Sequence, residues 1–270
     1  MNYYYKSKIT NEDINLKVYK YSGDKELIWG YFKEHHYLSQ DLNKASAVYL
    51  LYWNDILVGF NAVLPIPSGN IKYSYRGHRT VILPDYQGLG IGTKFVDFVA
   101  QYYVNNGLKY NTRCSHTKMR GYMDRSNKWI PTSHNNKKQD PNTNIKPKNE
   151  QFLLKRICGA YEYMGEDYVN KEHINIHIDY SDKNIDDFDL DLIRQDLSLL
   201  KEKYYITVIT GNVNDSSELE NICKDLGIRT QMLYYRGKLI SKYKNKKILT
   251  KWDKKFSDKV RKYYKLDIDL

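Results

Sequence analysis

Cysteine, proline and long apolar runs are all scarce in this chain of 270 residues. The three cysteines, Cys114, Cys158 and Cys223, stand far apart with no CxxC pair. That argues against a disulfide framework and against a cysteine-based zinc site. Two adjacent histidines, His35 and His36, cannot both face one ion from a helix, and no carboxylate or cysteine spacing completes a ligand set, so no metal is expected. No stretch approaches the ~20 consecutive apolar residues of a membrane span. The opening MNYYYKSKITNED also lacks the apolar core of a signal peptide. A cytoplasmic protein that does not engage a membrane is the expectation.

Acidic residues are outnumbered, 32 against 43 Lys and Arg, for a formal charge of +11. The imbalance is local. Residues 101–150 carry +7 and residues 241–270 carry +7, whereas residues 171–200 carry −5. Such blocks are either solvated faces or a surface for a polyanion such as nucleic acid, whose binding would then be salt-sensitive. The 27 tyrosines, with abundant Asn and Lys, suit the AT-rich genome of a low-GC bacterium or its phage. The length allows one large or two modest domains.

Strand and helix patterns alternate along the chain. Residues 14–21 read as a strand and 25–37 as a helix, with Leu27, Ile28, Tyr31 and Phe32 at helical spacing. Residues 46–53 and 56–64 are apolar runs separated by Asn54-Asp55, a hairpin turn signal. Residues 76–83 form a strand that stops at Pro84. A helix follows over 90–106, capped by Gly107, and 108–114 is again strand-like. Residues 130–149 are polar, lack periodicity and are expected to form a mobile basic insertion. A β pattern resumes over 152–164. The second half reads strand 174–180, helix 186–203, strand 204–210, helix 216–226 and strand 228–235. A turn at Arg236-Gly237 then leads into 238–243, and 250–264 reads as a basic closing helix.

The most informative stretch is Val81-Ile82-Leu83-Pro84-Asp85-Tyr86-Gln87-Gly88-Leu89-Gly90-Ile91-Gly92. A strand, a proline stop and three alternating glycines open a helix, so backbone N–H groups and the positive end of the helix dipole can converge on an anion. The P-loop is excluded because there is no GxxxxGK[ST], and the dinucleotide fingerprint because its third glycine is missing.

This stretch resembles the acyl-CoA loop of the GNAT acetyltransferase superfamily, Gln/Arg-x-x-Gly-x-Gly/Ala, filled here by Gln87, Gly90 and Gly92. The order strand, helix, hairpin, strand, loop, helix, strand over roughly residues 14–165 resembles that fold as well. The resemblance implies a mixed α/β sheet domain over residues 1–168 that binds acetyl-CoA or a related acyl-CoA. Its pyrophosphate would lie on the amides from Gln87 through Gly88, Leu89, Gly90, Ile91 and Gly92 to Thr93. The pantetheine would run along Ile82 and Leu83, in a splay between that strand and residues 108–114. The alternative is a purely structural glycine turn.

Acyl transfer to an amine needs a neutral amine, a donor for the oxyanion and a proton source for the leaving thiolate. In this superfamily a tyrosine on the helix after the fifth strand often supplies that proton. Tyr122 is the matching residue, with Ser126 and Trp129 where the family pattern has Gly and Phe, and an ordinary packing role is equally open. Ser115 and His116 sit where the fifth strand ends and could orient pantetheine or carry a proton; an exposed histidine is the plainer account of His116. His36 follows the first helix, where the family shapes its acceptor pocket, and is either an acceptor contact and base or a helix-terminal histidine. His78 lies on the strand where the family often carries its base. Simple alternation puts His78 and Thr80 on one face and Arg79 and Val81 on the other.

Residues 171–270 read as a second α/β domain, either a degenerate repeat of the C-terminal half of the first or an unrelated small domain. Where a second glycine loop would fall stands Ser181-Asp182-Lys183-Asn184-Ile185-Asp186-Asp187, whose carboxylates would repel a pyrophosphate. One CoA site is therefore expected. The functional expectation is an acyl-CoA-dependent N-acyltransferase acting on an amine, with the basic blocks favouring a macromolecular acceptor, protein or nucleic acid. Two alternatives stand beside it: nucleobase modification like that of the phage Mom DNA-modification protein, and a non-catalytic CoA-fold binding module.

Overall fold

In the computed structural model, residues 2–6, 13–36, 41–66, 74–138, 157–179, 188–211, 217–233 and 254–263 are described. The chain divides into two compact units. The first comprises Met1–Pro67, Lys72–Tyr102 and Lys109–Met164; the second comprises Ser68–Ile71, Tyr103–Leu108 and Gly165–Leu270. Among the described residues no helix is long and apolar enough to cross a membrane.

The first unit is built on β1 (Asn2–Lys6), β2 (Asp13–Tyr21), α1 (Lys25–Lys33), β3 (Ala47–Trp53), β4 (Ile56–Pro65), β5 (Ser74–Ile82), α2 (Ile91–Asn105), β6 (Lys109–Cys114), α3 (Thr117–Arg125), β7 (Trp129–Pro131), β8 (Lys137–Lys138) and β9 (Ile157–Tyr163). The sheet order is β1-β2-β3-β4-β5-β6-β9-β7, with β8 pairing to β9. β5 and β6 run parallel, joined through α2, and the other pairs are antiparallel.

Local chemistry accounts for these elements. Asp24 caps α1 by accepting from the amides of Glu26 at 2.9 Å and Leu27 at 3.2 Å. The helix stops earlier than the expected residue 37, because the amides of His35 and His36 turn back to the carbonyls of Phe32 and Lys33. Asn54 and Asp55 both take positive φ, 47° and 65°, the primed turn whose twist suits a hairpin. β3 and β4 are apolar on both faces because both are covered. Trp29 and Phe32 of α1 pack with Val48, Leu50, Phe60, Ala62 and Val81 on one side. On the other side α2 buries Ile91, Phe95 and Val99.

Two expectations about the first unit change. β1 pairs with β2, an edge strand that the polar opening segment did not reveal. Residues 130–138, the start of the expected mobile insertion, contribute the rest of β7, a turn and β8, because they complete the hydrogen bonding of β9. Trp129 anchors that run, buried 4.8 Å from the ring of Tyr163. Residues 139–150 lie outside the described residues.

The second unit holds α4 (Glu166–Asn170), β10 (Glu172–Asp179), α5 (Leu190–Lys203), β11 (Tyr204–Gly211), α6 (Ser217–Asp225), β12 (Arg229–Leu233) and α7 (Lys254–Tyr263). Its three strands form a parallel sheet in the order β10-β11-β12. Ile193, Leu197 and Leu200 of α5 and Leu219 and Ile222 of α6 share a core with Ile206 and Val208. Burial pushes the Cys223 thiol in this core up to about 12, which makes it inert. α7 is held by buried Asp196, which accepts from Arg261 Nε at 2.6 Å and Ser257 Oγ at 3.1 Å.

The strand pairing of the second unit differs from that of the C-terminal half of the first. In the first unit the strand beyond α3 that pairs with β6, β9, runs antiparallel to it, whereas β12 after α6 runs parallel to β11. The expected second loop at 181–187, the turn at Arg236-Gly237 and residues 238–243 lie outside the described residues.

Candidate active site

The glycine loop begins where β5 ends. Leu83 donates its amide to the Val58 carbonyl at 2.9 Å, and Pro84–Tyr86 make one tight turn. The Tyr86 ring lies 5.5 Å from that of Trp53, which fixes the turn to the hairpin. Gln87 is spent on the loop itself: its amide donates to the Pro84 carbonyl at 3.1 Å, and its side chain donates to the Ile82 carbonyl at 2.8 Å. The expectation that Gln87 contributes its amide to an anion is therefore revised to a bracing role. Gly88 and Gly90 take φ of 87° and 81°, left-handed values that glycine adopts without cost. The Gly90 carbonyl accepts from Thr93 Oγ1 at 2.8 Å and from the Lys94 amide at 3.3 Å, which fastens the loop to the first turn of α2. The amides of Ile91, Gly92 and Thr93 open the helix and have no intrahelical acceptor. A Cβ on Gly92 would lie 3.3 Å from Ile82 Cγ1, so the helix mouth is pressed close to β5.

β5 and β6 separate at the same end. Their pairing runs from Ser74 with Lys109 to Gly77 with Thr112, and β5 then continues to Ile82. The cause lies at His78. Against β4, Ala62 pairs with Arg79 and Val63 with Gly77, so His78 is the extra residue of a bulge, and a bulge bends its strand. The bulge also defeats the alternation that grouped His78 with Thr80. Thr80 accepts from Asn61 Nδ2 at 2.9 Å, whereas His78 shares its surroundings with Arg79, Arg76 and His36. Nε2 of His78 is buried and has no hydrogen-bond partner among the described residues. Burial first, and then these positive neighbours, hold its pKa down to about 4, so the ring is neutral at pH 7.

The expected catalytic residues are placed as follows. His36 is buried against Trp29, with ring centroids 5.6 Å apart, and its charge bears on His78. Ser115 is half-buried between β6 and α3. His116 is exposed and caps α3, with Nδ1 accepting the Met119 amide at 3.4 Å. The Tyr122 hydroxyl donates to Oδ2 of Asp97 on α2, whose Oδ1 accepts from Trp129 Nε1 at 2.8 Å. Burial pushes the Asp97 pKa up, and these two hydrogen bonds partly offset it. Asp97 escaped the sequence reading; its signal is one acid within the apolar face Phe95-Val96-Asp97-Phe98-Val99.

The capping role of His116 has a direct check. His116→Asn keeps a good capping side chain without the imidazole, and His116→Ala removes both. Thermal denaturation is expected to show His116→Ala about 1 kcal/mol less stable and His116→Asn close to the parent.

A mixed sheet whose parallel strands β5 and β6 part beside a glycine-rich helix mouth defines an α/β fold with a groove at the strand ends. Residues 17–125 match the family model for the acetyltransferase (GNAT) family. Among solved structures, the ribosomal-protein-S18-alanine N-acetyltransferase from Escherichia coli is similar at 8% identity, covering 55% of this chain and 92% of its own, with a TM-score of 0.40. A GNAT family acetyltransferase from Elizabethkingia anophelis with acetyl-CoA bound is 15% identical, covering 55% of this chain and 97% of its own, with a TM-score of 0.37. A Bacillus subtilis acetyltransferase in complex with CoA is 8% identical, with coverage of 55% and 97% and a TM-score of 0.41. No curated protein matches the chain.

Proposed function

We propose that the chain is an acyl-CoA-dependent N-acyltransferase that moves an acetyl or related acyl group directly onto an amine. The observation that carries this reading is the loop Gly88–Thr93, with its left-handed glycines and the open amides of Ile91 to Thr93, set at the point where β5 leaves β6. The residues fit a diphosphate. Gly88 and Gly90 present the backbone, and a Cβ added at Gly88 would enter open space rather than protein. When bound, acetyl-CoA supplies the activated thioester.

The chain's own residues do the rest. The amides of Gly88 to Thr93 hold the diphosphate end of the ligand, and the stretch Thr80–Leu83, beyond the pairing with β6, lines its extended part. His78, neutral and with a buried, unpartnered Nε2, accepts the proton that the amine sheds when its own proton sits on Nδ1. Tyr122 can protonate the leaving thiolate only by releasing its hydrogen bond to Asp97; held there, it positions α3 along α2. The basic blocks at 101–150 and 241–270 favour a macromolecular, negatively charged acceptor.

The test is incubation of the full chain with labelled acetyl-CoA and panels of peptides, tRNA, DNA and small amines, scoring thiol release and label transfer. Thiol release that requires an added amine supports the reading. Saturable CoA binding with no turnover on any panel would replace it with a binding module.

A further inference from the structure

We propose that Arg76, Arg113 and His78 form an oxyanion subsite on the sheet face opposite α2, which seats a phosphate or carboxylate of the acceptor beside its amine. The proposal deepens the acyltransferase reading and rests on it for the identity of the ligand as acceptor.

Register defines the face. Gly77 lies against Tyr110 and Thr112, since a Cβ there would meet the Tyr110 hydroxyl at 2.9 Å and Thr112 Oγ1 at 3.3 Å. Its neighbour Arg76 therefore points the other way, with Ser74, whose Oγ accepts from Asn111 Nδ2 at 3.2 Å. Arg76 pairs with Asn111 in the parallel register, and Arg113 follows two residues on, so Asn111 and Arg113 share that face with Arg76. Arg79 and Val81 lie on it too, because Val81 packs in the α1 core and Arg79 pairs with Ala62 of the same core.

The cluster is electrostatically incomplete. Arg76 is half-buried, and its pKa is lowered first by burial and then by Arg113. Neither guanidinium makes an ion pair among the described residues. The groups facing His78 are Arg76 and Arg79 from its own strand and His36 from the turn after α1, all of one sign. Arg113 adds charge from β6. Among the described residues Glu162 of β9, paired in register with Asn111 and so on the same face, carries the opposite sign, two residues along from the partner of Arg113. Arg76 is half-buried and Arg113 exposed on the same face, so the cluster stays open to solvent; an anion there would offset the positive charge beside the desolvated imidazole, and a guanidinium is the group best shaped for phosphate or carboxylate.

The consequence is a link between recognition and chemistry. An oxyanion seated on Arg76 and Arg113 offsets the positive field at Nε2 of His78 and makes that nitrogen more basic. Acceptors bearing the anion thereby strengthen the proton acceptor that their amine needs, and acceptors lacking it meet a weak one.

The test titrates inorganic phosphate, and separately acetate, into the full chain and into Arg113→Gln, following the His78 ring and arginine Nε–H resonances by NMR. The expected result is a saturable response in the parent, an upward move of the His78 titration midpoint by about one pH unit, and binding at least about tenfold weaker in Arg113→Gln. A response to phosphate alone assigns a phosphate, and a response to acetate alone a carboxylate. The response must persist with CoA bound; its loss on adding CoA would place the anion in the cofactor groove and overturn the subsite. Absence of a saturable response to either anion, or an equal response in Arg113→Gln, overturns it as well. Anion binding without acetyl transfer in the assay above would retain the subsite and defeat the acyltransferase reading; transfer without anion binding would do the reverse.

Discussion

Gly90→Val is expected to abolish measurable CoA binding and to lower kcat/KM for acyl transfer at least ~100-fold, about 2.7 kcal/mol of lost stabilisation. The reason is conformational. Gly90 sits at φ 81°, a left-handed value that a β-branched residue adopts only with strain. Relief by moving φ to a negative value redirects the neighbouring peptide groups. The Gly90 carbonyl is bonded to Thr93 Oγ1 at 2.8 Å and the Lys94 amide at 3.3 Å, so the movement reaches the first turn of α2. The amides that converge on the diphosphate are lost as a set, and hydrogen bonds to a charged group are worth about 1.5–3 kcal/mol each. Isothermal titration with CoA measures the effect, and the thermal midpoint controls for folding. A variant that folds and binds CoA like the parent would remove the loop from the proposed site.

Asp97→Ala is expected to destabilise the chain by about 3 kcal/mol, because one buried carboxylate serves two donors, Tyr122 and Trp129. Truncation leaves the indole N–H and the phenol without their acceptor, and they tie α3 and the β7 entry to α2. Asp97→Asn keeps an acceptor oxygen and is expected to recover most of the loss. The pH dependence follows from the raised pKa of Asp97. The folded state takes up a proton there more readily than the unfolded state. Its contribution is full below the ordinary aspartate range and declines as pH rises through the folded pKa. Asp97→Asn should flatten that decline in denaturant titrations across pH. Tyr122→Phe completes the series. A clamp predicts a stability loss with kcat within a few-fold, whereas a proton donor predicts a fall in kcat of about 10²–10⁴.

The parts of the fold legible in the sequence are those written in local chemistry. Asn54-Asp55 between two apolar runs specifies a hairpin because few residue pairs accept two positive φ values. Pro84 stops a strand, Gly107 at φ 68° follows the C-terminus of α2, and the alternating glycines mark the loop. β1 was not legible because its pairing partner, not its own pattern, makes it a strand. The direction of β12 was not legible either, since an apolar run of that length serves a parallel or an antiparallel neighbour equally. The same limit applied to the site. Tyr122 could be found as a tyrosine on the right helix, but its partner lies 25 residues away on another helix.

By itself, then, the sequence determined the alternation of strands and helices, the turn positions and the glycine-rich helix mouth, because each depends on backbone preferences of neighbouring residues. Only the tertiary structure decided that His78 occupies a bulge, that β5 parts from β6 there, and that Arg76 and Arg113 share a face with it. Those properties arise from register between strands far apart in the chain. A single extra residue in one of them re-aims a side chain that strict alternation would have assigned elsewhere.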